Sequence, residues 1–273
     1  MLGFARVPGP PLSSFVALLW YQEVLPGQFG PELVLPSGKA ELVIELGPTD
    51  QVSATGTVCG PHSTYFHLER PKVAHAIVGV HFRPGGIRPF LSEPGRCSIS
   101  ELHNWVVTLE DLWGQHAIWL HDQLMEATTI SDRLQIMERE LERRLLRVEG
   151  SNQTVIAAVN LLQSVVSRRP VDDVANKLGY SSRRIQQYFR DEVGLSPKVF
   201  HRVSRFQKAI QMIDGSSTID WSNIALTHGY FDQAHLVNDF RTFTSLSPTA
   251  YLAHRTARLG HLNDTGLDTA TNA

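Results

Sequence analysis

Along the last third of the chain, apolar positions recur at three- and four-residue spacing, break at a glycine and resume, twice over. In the first pass Val171, Val174, Ala175 and Leu178 share one face of a short helix; Gly179 and Tyr180 follow, and Ile185, Tyr188 and Phe189 form a second stripe. In the second pass Ile224 and Ala225 precede Gly229 and Tyr230, and Leu236 and Phe240 follow. The spacing predicts a pair of helices in each pass. A glycine between the helices can take the left-handed conformation that reverses the chain. Ser181 or Ser182 in one copy and Asp232 in the other stand where an N-cap is needed. The offset between copies is fifty residues up to the tyrosines and fifty-one beyond them, and both copies close on Leu-Ser-Pro, at 195–197 and 246–248. One residue is therefore added after Tyr230, and the rest of the frame is kept. A long helix is expected from Pro197 to about Asp214, joining the two passes.

This is the grammar of two helix-turn-helix motifs, the second helix of each being the one that enters a DNA major groove. The first such helix is expected from Arg183 to about Asp191. The residues left off the apolar stripes suit that use. Arg183, Gln186 and Gln187 in the first copy, and Gln233 and Asn238 in the second, are candidates for reading base edges. Arg can bond guanine bidentately, and Gln or Asn can do the same to adenine. Ser182, Arg184, Arg190, Lys198, Arg202, His235 and Arg241 are candidates for the DNA backbone. Amphipathic hairpins with merely solvated outer faces would explain one copy, but not two with the same ending.

Residues 153 to 255 resemble the DNA-binding domain of the AraC/XylS family of bacterial transcription regulators. The likeness is carried by Gly229-Tyr230-Phe231-Asp232-Gln233-Ala234-His235-Leu236, then Phe240-Arg241 and Ser247-Pro248-x-x-Tyr251. The resemblance implies a central helix holding both reading helices on one side, and it places His235 in a recurrent structural position. Ser245 stands where that family has glycine, and Leu252 replaces an arginine that commonly follows the closing aromatic.

The first hundred residues carry short β-type runs instead. Leu33-Val34-Leu35 and Ala40 to Leu46 flank Pro36-Ser37-Gly38 and predict a hairpin. Further strands are expected at Val52 to Cys59 and Ala74 to Phe82, with bends at Gly56 and Gly79, before Arg83-Pro84-Gly85-Gly86 and a helical turn from Ile87 to Leu91. Such runs suit a small β-barrel enclosing a ligand. The stretches Leu35-Pro36-Ser37-Gly38-x-x-Glu41-Leu42-Val43 and Gly79-Val80-His81-Phe82-Arg83-Pro84-Gly85-Gly86 resemble the N-terminal domain of one subgroup of these regulators, which implies a cupin-like barrel. Leu109 to Leu124 and Ser131 to Val148 read as helices. In the second, Leu134, Met137, Leu141, Leu145 and Val148 line a stripe that packs on its own domain or on another subunit.

The fold class expected is α+β and multidomain. A β-rich, barrel-like sensor occupies 1–105, linking helices 106–150, an all-α domain with two helix-turn-helix motifs 151–258, and a disordered tail 259–273. The formal net charge of −2 is unevenly spread. Residues 1–150 carry 12 Lys/Arg against 17 Asp/Glu, whereas residues 151–273 carry 13 against 10. Seven of those cations fall between Arg183 and Lys208, so attraction to phosphate is expected to centre on the first motif. Double-stranded DNA is the expected partner, with RNA polymerase, a small-molecule effector and a second copy as further ones. There is no apolar stretch long enough for a membrane span and no secretory leader pattern, which points to the cytoplasm. Cys59 and Cys97 make no metal motif, and no nucleophile–base pattern or cofactor motif is present. His62, His67, Glu69, His75 and His81 invite one alternative, a cupin-type metal-dependent enzyme fused to a DNA-binding domain. Their spacing is not that of a closely paired metal site.

Overall fold

The computed structural model describes residues 3–24, 32–47, 55–68, 75–91, 98–145, 153–164, 169–214 and 219–256. Its first half is built on strands β1 (Gly3–Arg6), β2 (Val16–Val24), β3 (Glu32–Val34), β4 (Glu41–Leu46), β5 (Thr57–Cys59), β6 (Phe66–Leu68), β7 (His75–Phe82) and β8 (Val106–Thr108). Six of them form an antiparallel sheet in the order β1-β2-β7-β4-β5-β8, and β3 and β6 form a separate two-stranded ladder. Strand alternation sends Leu42, Ile44 and Leu46 of β4 and Val78, Val80 and Phe82 of β7 into one core.

The expected hairpin across Pro36-Ser37-Gly38 does not form. β3 pairs with β6, and β4 pairs with β7 on one edge and β5 on the other. Both hydrogen-bonding edges of β4 are thus filled, and the turn carries the chain from one sheet to the other. Gly79 is a seat rather than a bend. A Cβ there would lie 2.1 Å from the Trp20 indole, which crosses the strand at that point. Ile87 to Leu91 gives only a single 3-10 turn, Arg88–Phe90.

Helices α1 (Leu109–Trp113), α2 (Gln115–Glu126) and α3 (Ile130–Leu145) cover the inner face of this sheet. Leu134, Met137 and Leu141 of α3 are completely buried in the same core as β4 and β7, so that stripe is used within its own chain. Buried Glu140 accepts from Arg143, Arg144 and His116, which ties α3 to α2.

The second half contains α4 (Gln153–Ser164), α5 (Pro170–Leu178), α6 (Ser182–Tyr188), α7 (Pro197–Asp214), α8 (Trp221–Thr227), α9 (Gln233–Thr244) and α10 (Pro248–Thr256). Two cores lie along it. Val155, Leu162, Val174, Ile185 and Phe189 build the first, and Ile224, Leu236, Phe240 and Tyr251 build the second. α7 serves both, giving Phe200 to the first and Val203, Phe206, Ile210 and Ile213 to the second. The tail from 259 and the link at 146–152 lie outside the described residues. Among the described residues no helix is long and apolar enough to cross a membrane.

Candidate nucleic-acid interface

The two motifs repeat each other bond for bond. The Tyr180 amide donates to the carbonyl of Ala175, and the Tyr230 amide to that of Ala225, both at 2.9 Å. Gly179 and Gly229 have φ of 73° and 71°, the left-handed turn that the spacing requires. Ser181 caps α6 by accepting from the Arg184 amide at 3.2 Å, and Asp232 caps α9 by accepting from the His235 amide at 2.7 Å. A brace across the turn is also repeated, with its chemistry exchanged. The Ser182 hydroxyl donates to Asp172 at 2.7 Å; fifty and fifty-one residues later, Ser222 donates to Gln233 at 3.3 Å.

On α6, Ile185 points into the core while Arg183, Arg184, Gln186 and Gln187 are exposed, as is Arg190 just beyond its end. Arg184 stacks its guanidinium over the Tyr188 ring at 4.4 Å, and Gln187 donates to the Asp191 carboxylate at 2.7 Å. The helix does not run unbroken to Asp191, for its last turn, Phe189–Val193, widens into a π-helix. On α9, Gln233, Asn238 and Arg241 are exposed. Gln187 and Asn238 occupy equivalent positions of the two copies, as do Arg190 and Arg241. Ser182 is half-buried and held by Asp172, and Lys198 is exposed near the start of α7.

Arg202 and His235 belong to a buried ionic joint. Asp239, 2% exposed, accepts from Arg202 at 2.7 Å and from Arg205 at 2.8 Å. Arg205 also donates to the Gly229 carbonyl and lies within bonding distance of the His235 ring, with its guanidinium over Tyr230. Burial pushes the Tyr230 phenol well above its ordinary range, with nearby Asp239 adding to the effect. Between the motifs, a cleft of about 900 Å³ is lined by Arg169, Lys198, Arg202, Arg205 and exposed Leu226 and Phe231. Sequence reasoning missed the role of Asp239. The signal was there: Asp239 lies on the Leu236–Phe240–Phe243 stripe, where a charge needs a buried partner.

The sheet domain grips the chain just beyond α6. Arg88 donates to the Asp191 carbonyl at 2.8 Å and pairs with Glu192 at 3.3 Å, and Ser98 donates to the Arg190 carbonyl at 3.1 Å. Gly194, at φ 82°, lies so close to Pro61 and Ile99 that a Cβ would approach them to 2.7 and 2.8 Å. Gly38 packs on Phe200 and Val203 of α7, and Gln207 donates to the Pro36 carbonyl at 2.7 Å.

On the sheet, His81 pairs with Glu41 at 2.6 Å, and the Trp20 ring lies against His81. His62 bonds the Gly60 carbonyl, and His67 lies in β6 beside Tyr65. Among the described residues no three His, Cys, Asp or Glu side chains converge as a metal site would need; Glu69 and Cys97 lie outside those residues.

Residues 174–254 match a helix-turn-helix domain family, and residues 5–107 match a domain family of unknown function (DUF6597). No curated protein matches the chain. Among solved structures, ToxT from Vibrio cholerae is similar at 9% identity and TM-score 0.48, over 85% of this chain and 98% of that one. An apo variant of the same protein is similar at 9% identity and TM-score 0.46, over 86% and 97%. Its unsaturated-fatty-acid-bound form gives 9% identity and TM-score 0.45, over 85% and 94%, and the ligand is that protein's own. At this depth of likeness the assignment rests on the helix-turn-helix match and the paired motifs. The chain is a DNA-binding transcription regulator with a helix-turn-helix domain following a sheet domain.

Proposed function

We propose that this regulator reads two successive major-groove segments of double-stranded DNA, α6 entering one and α9 the next. The carrying observation is the bond-for-bond repeat, which presents exposed Gln187 and Asn238 from equivalent helix positions. Arg183, Gln186 and Gln187 read bases in the first segment, Gln233 and Asn238 in the second. Ser182, Arg184, Arg190, Lys198 and Arg241 hold phosphates. Arg202 and His235 act on the backbone chiefly by fixing the approach of α9 through Asp239 and its cap.

The domain division that accompanies this reading is a sensor at 1–105, packing helices at 106–150, a DNA reader at 151–258 and a tail at 259–273. The sensor is a cupin-like barrel, and its contact at Arg88 and Ser98 supports control of the first motif. An effector, RNA polymerase and a second copy of the chain are the partners of the complete regulator, which acts in the cytoplasm. Selection from randomised duplexes by the full chain tests the reading. Two adjacent base clusters about one helical turn apart are expected. A single cluster, unchanged by Asn238→Ala, would make the second motif a brace.

A further inference from the structure

The two motifs differ most at the residue that breaks their common frame. In the first, Tyr180 is followed directly by the cap Ser181; in the second, Phe231 is inserted between Tyr230 and the cap Asp232. The fold does not bury that ring. Phe231 is 76% exposed, the most open large apolar side chain among the described residues. Its backbone is nevertheless fixed from both sides, by the Tyr230 amide on the Ala225 carbonyl and by the Asp232 cap. Leu226, 69% exposed, stands where the first motif has Asn176, and it lines the same cleft between the motifs as Phe231. Ala234 and His235 stand where the first reading helix has exposed Arg183 and Arg184. The second motif therefore has fewer cations than the first and more exposed apolar surface.

An apolar ring gains from contact only with an apolar partner, and the place of Phe231 says which. Reading helices enter the major groove by their first turn. Phe231 stands two residues before Gln233, at the mouth of α9, so docking that brings Gln233 to base edges brings the ring to the same groove. The apolar group that bases present there is the C5-methyl of thymine. The patch is continuous with α9, and exposed Lys198 on the same cleft complements the flanking phosphates. That continuity and that charge make duplex DNA the occupant.

We infer that Phe231 packs on a thymine methyl at the edge of the segment read by α9, with Leu226 beside it against the sugar wall, so that the inserted residue determines specificity. This rests on the major-groove reading proposed above. The test uses the full chain and the duplex it selects from randomised sequences. Thymine should be enriched at one position beside the α9 cluster, and Phe231→Ala should lose that preference while keeping the others. Replacing that thymine by deoxyuridine removes only the methyl. The intact chain should then bind about fourfold more weakly, the worth of one buried methyl group, and Phe231→Ala should bind both duplexes alike. Phe231→Ala should lower affinity about tenfold with the slope of log affinity against log salt unchanged, because no phosphate contact is lost; Lys198→Ala should flatten that slope by about one. Met125→Ala, at an exposed apolar side chain of the sheet domain, should change nothing. Two clusters with every base preference kept by Phe231→Ala would overturn this inference and leave the reading of two grooves standing. A single cluster indifferent to Phe231→Ala would overturn both. Equal binding of the thymine and uracil duplexes by the intact chain, or a flattened salt slope for Phe231→Ala, would also overturn the inference.

Discussion

The guanidinium of Arg205 donates to the buried carboxylate of Asp239 at 2.8 Å, and this bond fastens α9 to the central helix α7. Arg202 takes the other carboxylate oxygen, so one acid on α9 holds two bases on α7. Charge counting alone would treat Asp239 as a repellent of DNA. Its burial makes it the counter-ion that sets the angle at which α9 is presented.

Asp239→Asn should therefore destabilise the protein by about 3 kcal/mol, because it leaves Arg205 buried without its charge partner. Urea unfolding measures it. A loss below about 0.5 kcal/mol, the size of an ordinary surface change, would mean that the joint contributes only geometry.

Gly194 and Ser245 are equivalent residues at φ 82° and 59°, and opposite outcomes are expected for them. Ser245→Gly relieves a left-handed non-glycine residue and should stabilise by about 0.5–1 kcal/mol after the greater chain entropy of glycine is counted. Gly194→Ala adds both that strain and a collision with Pro61 and Ile99, and should cost about 2 kcal/mol or more. Equal and small changes at both sites would show that the interdomain contact yields easily.

The helix-turn-helix half was legible because its information is local: caps, turn glycines and stripes sit within a few residues of each other, and the repeat states them twice. The sheet half was legible only in part: the runs at Ala40 to Leu46 and Ala74 to Phe82 became β4 and β7, but the strand pairing and β2 were not legible. β2 carries Leu19, Trp20, Tyr21 and Gln22 all buried, so both faces are covered and the alternation that marks a strand is erased. The misread hairpin has the same root, since strand partners distant in sequence leave no local mark. Leu35-Pro36-Ser37-Gly38 and Arg83-Pro84-Gly85-Gly86 stood out as motifs before any purpose was visible. In the structure Pro36, Gly38 and Gly85 touch the helical domain, with Arg88 just beyond. The candidate reading residues are exposed as their spacing required, but the buried joint behind them needed three dimensions.

Burial lowers the pKa of His62, His103, His201 and His228 below the ordinary histidine value of about 6.5. In the unfolded chain these rings take up protons first, so as pH falls below about 6.5 the unfolded state gains protons that the fold refuses and stability drops. The Tm should change little from pH 7.5 to about 6.5 and fall from there to 5.5. NMR titration gives the residue-level check. A midpoint for His201, whose Nδ1–H donates to the Leu162 carbonyl, at or above the ordinary value would contradict its burial.

Arg88 reaches a candidate reading residue in two steps: it holds the Asp191 backbone, and the Asp191 side chain holds Gln187. Arg88→Ala removes the first hold, lets Asp191 move and frees the Gln187 amide for adenine. Affinity for the selected duplex should rise by about threefold to tenfold, the worth of roughly one hydrogen bond. The gain should be confined to the base cluster read by α6, because Asn238 on α9 has no such tie to the sheet domain among the described residues. Gln187→Ala in the Arg88→Ala background should cancel the gain. If affinity rises equally for duplexes altered in either cluster, the contact acts on phosphate attraction as a whole. If it does not change, the sheet domain controls DNA binding by some route other than this helix end.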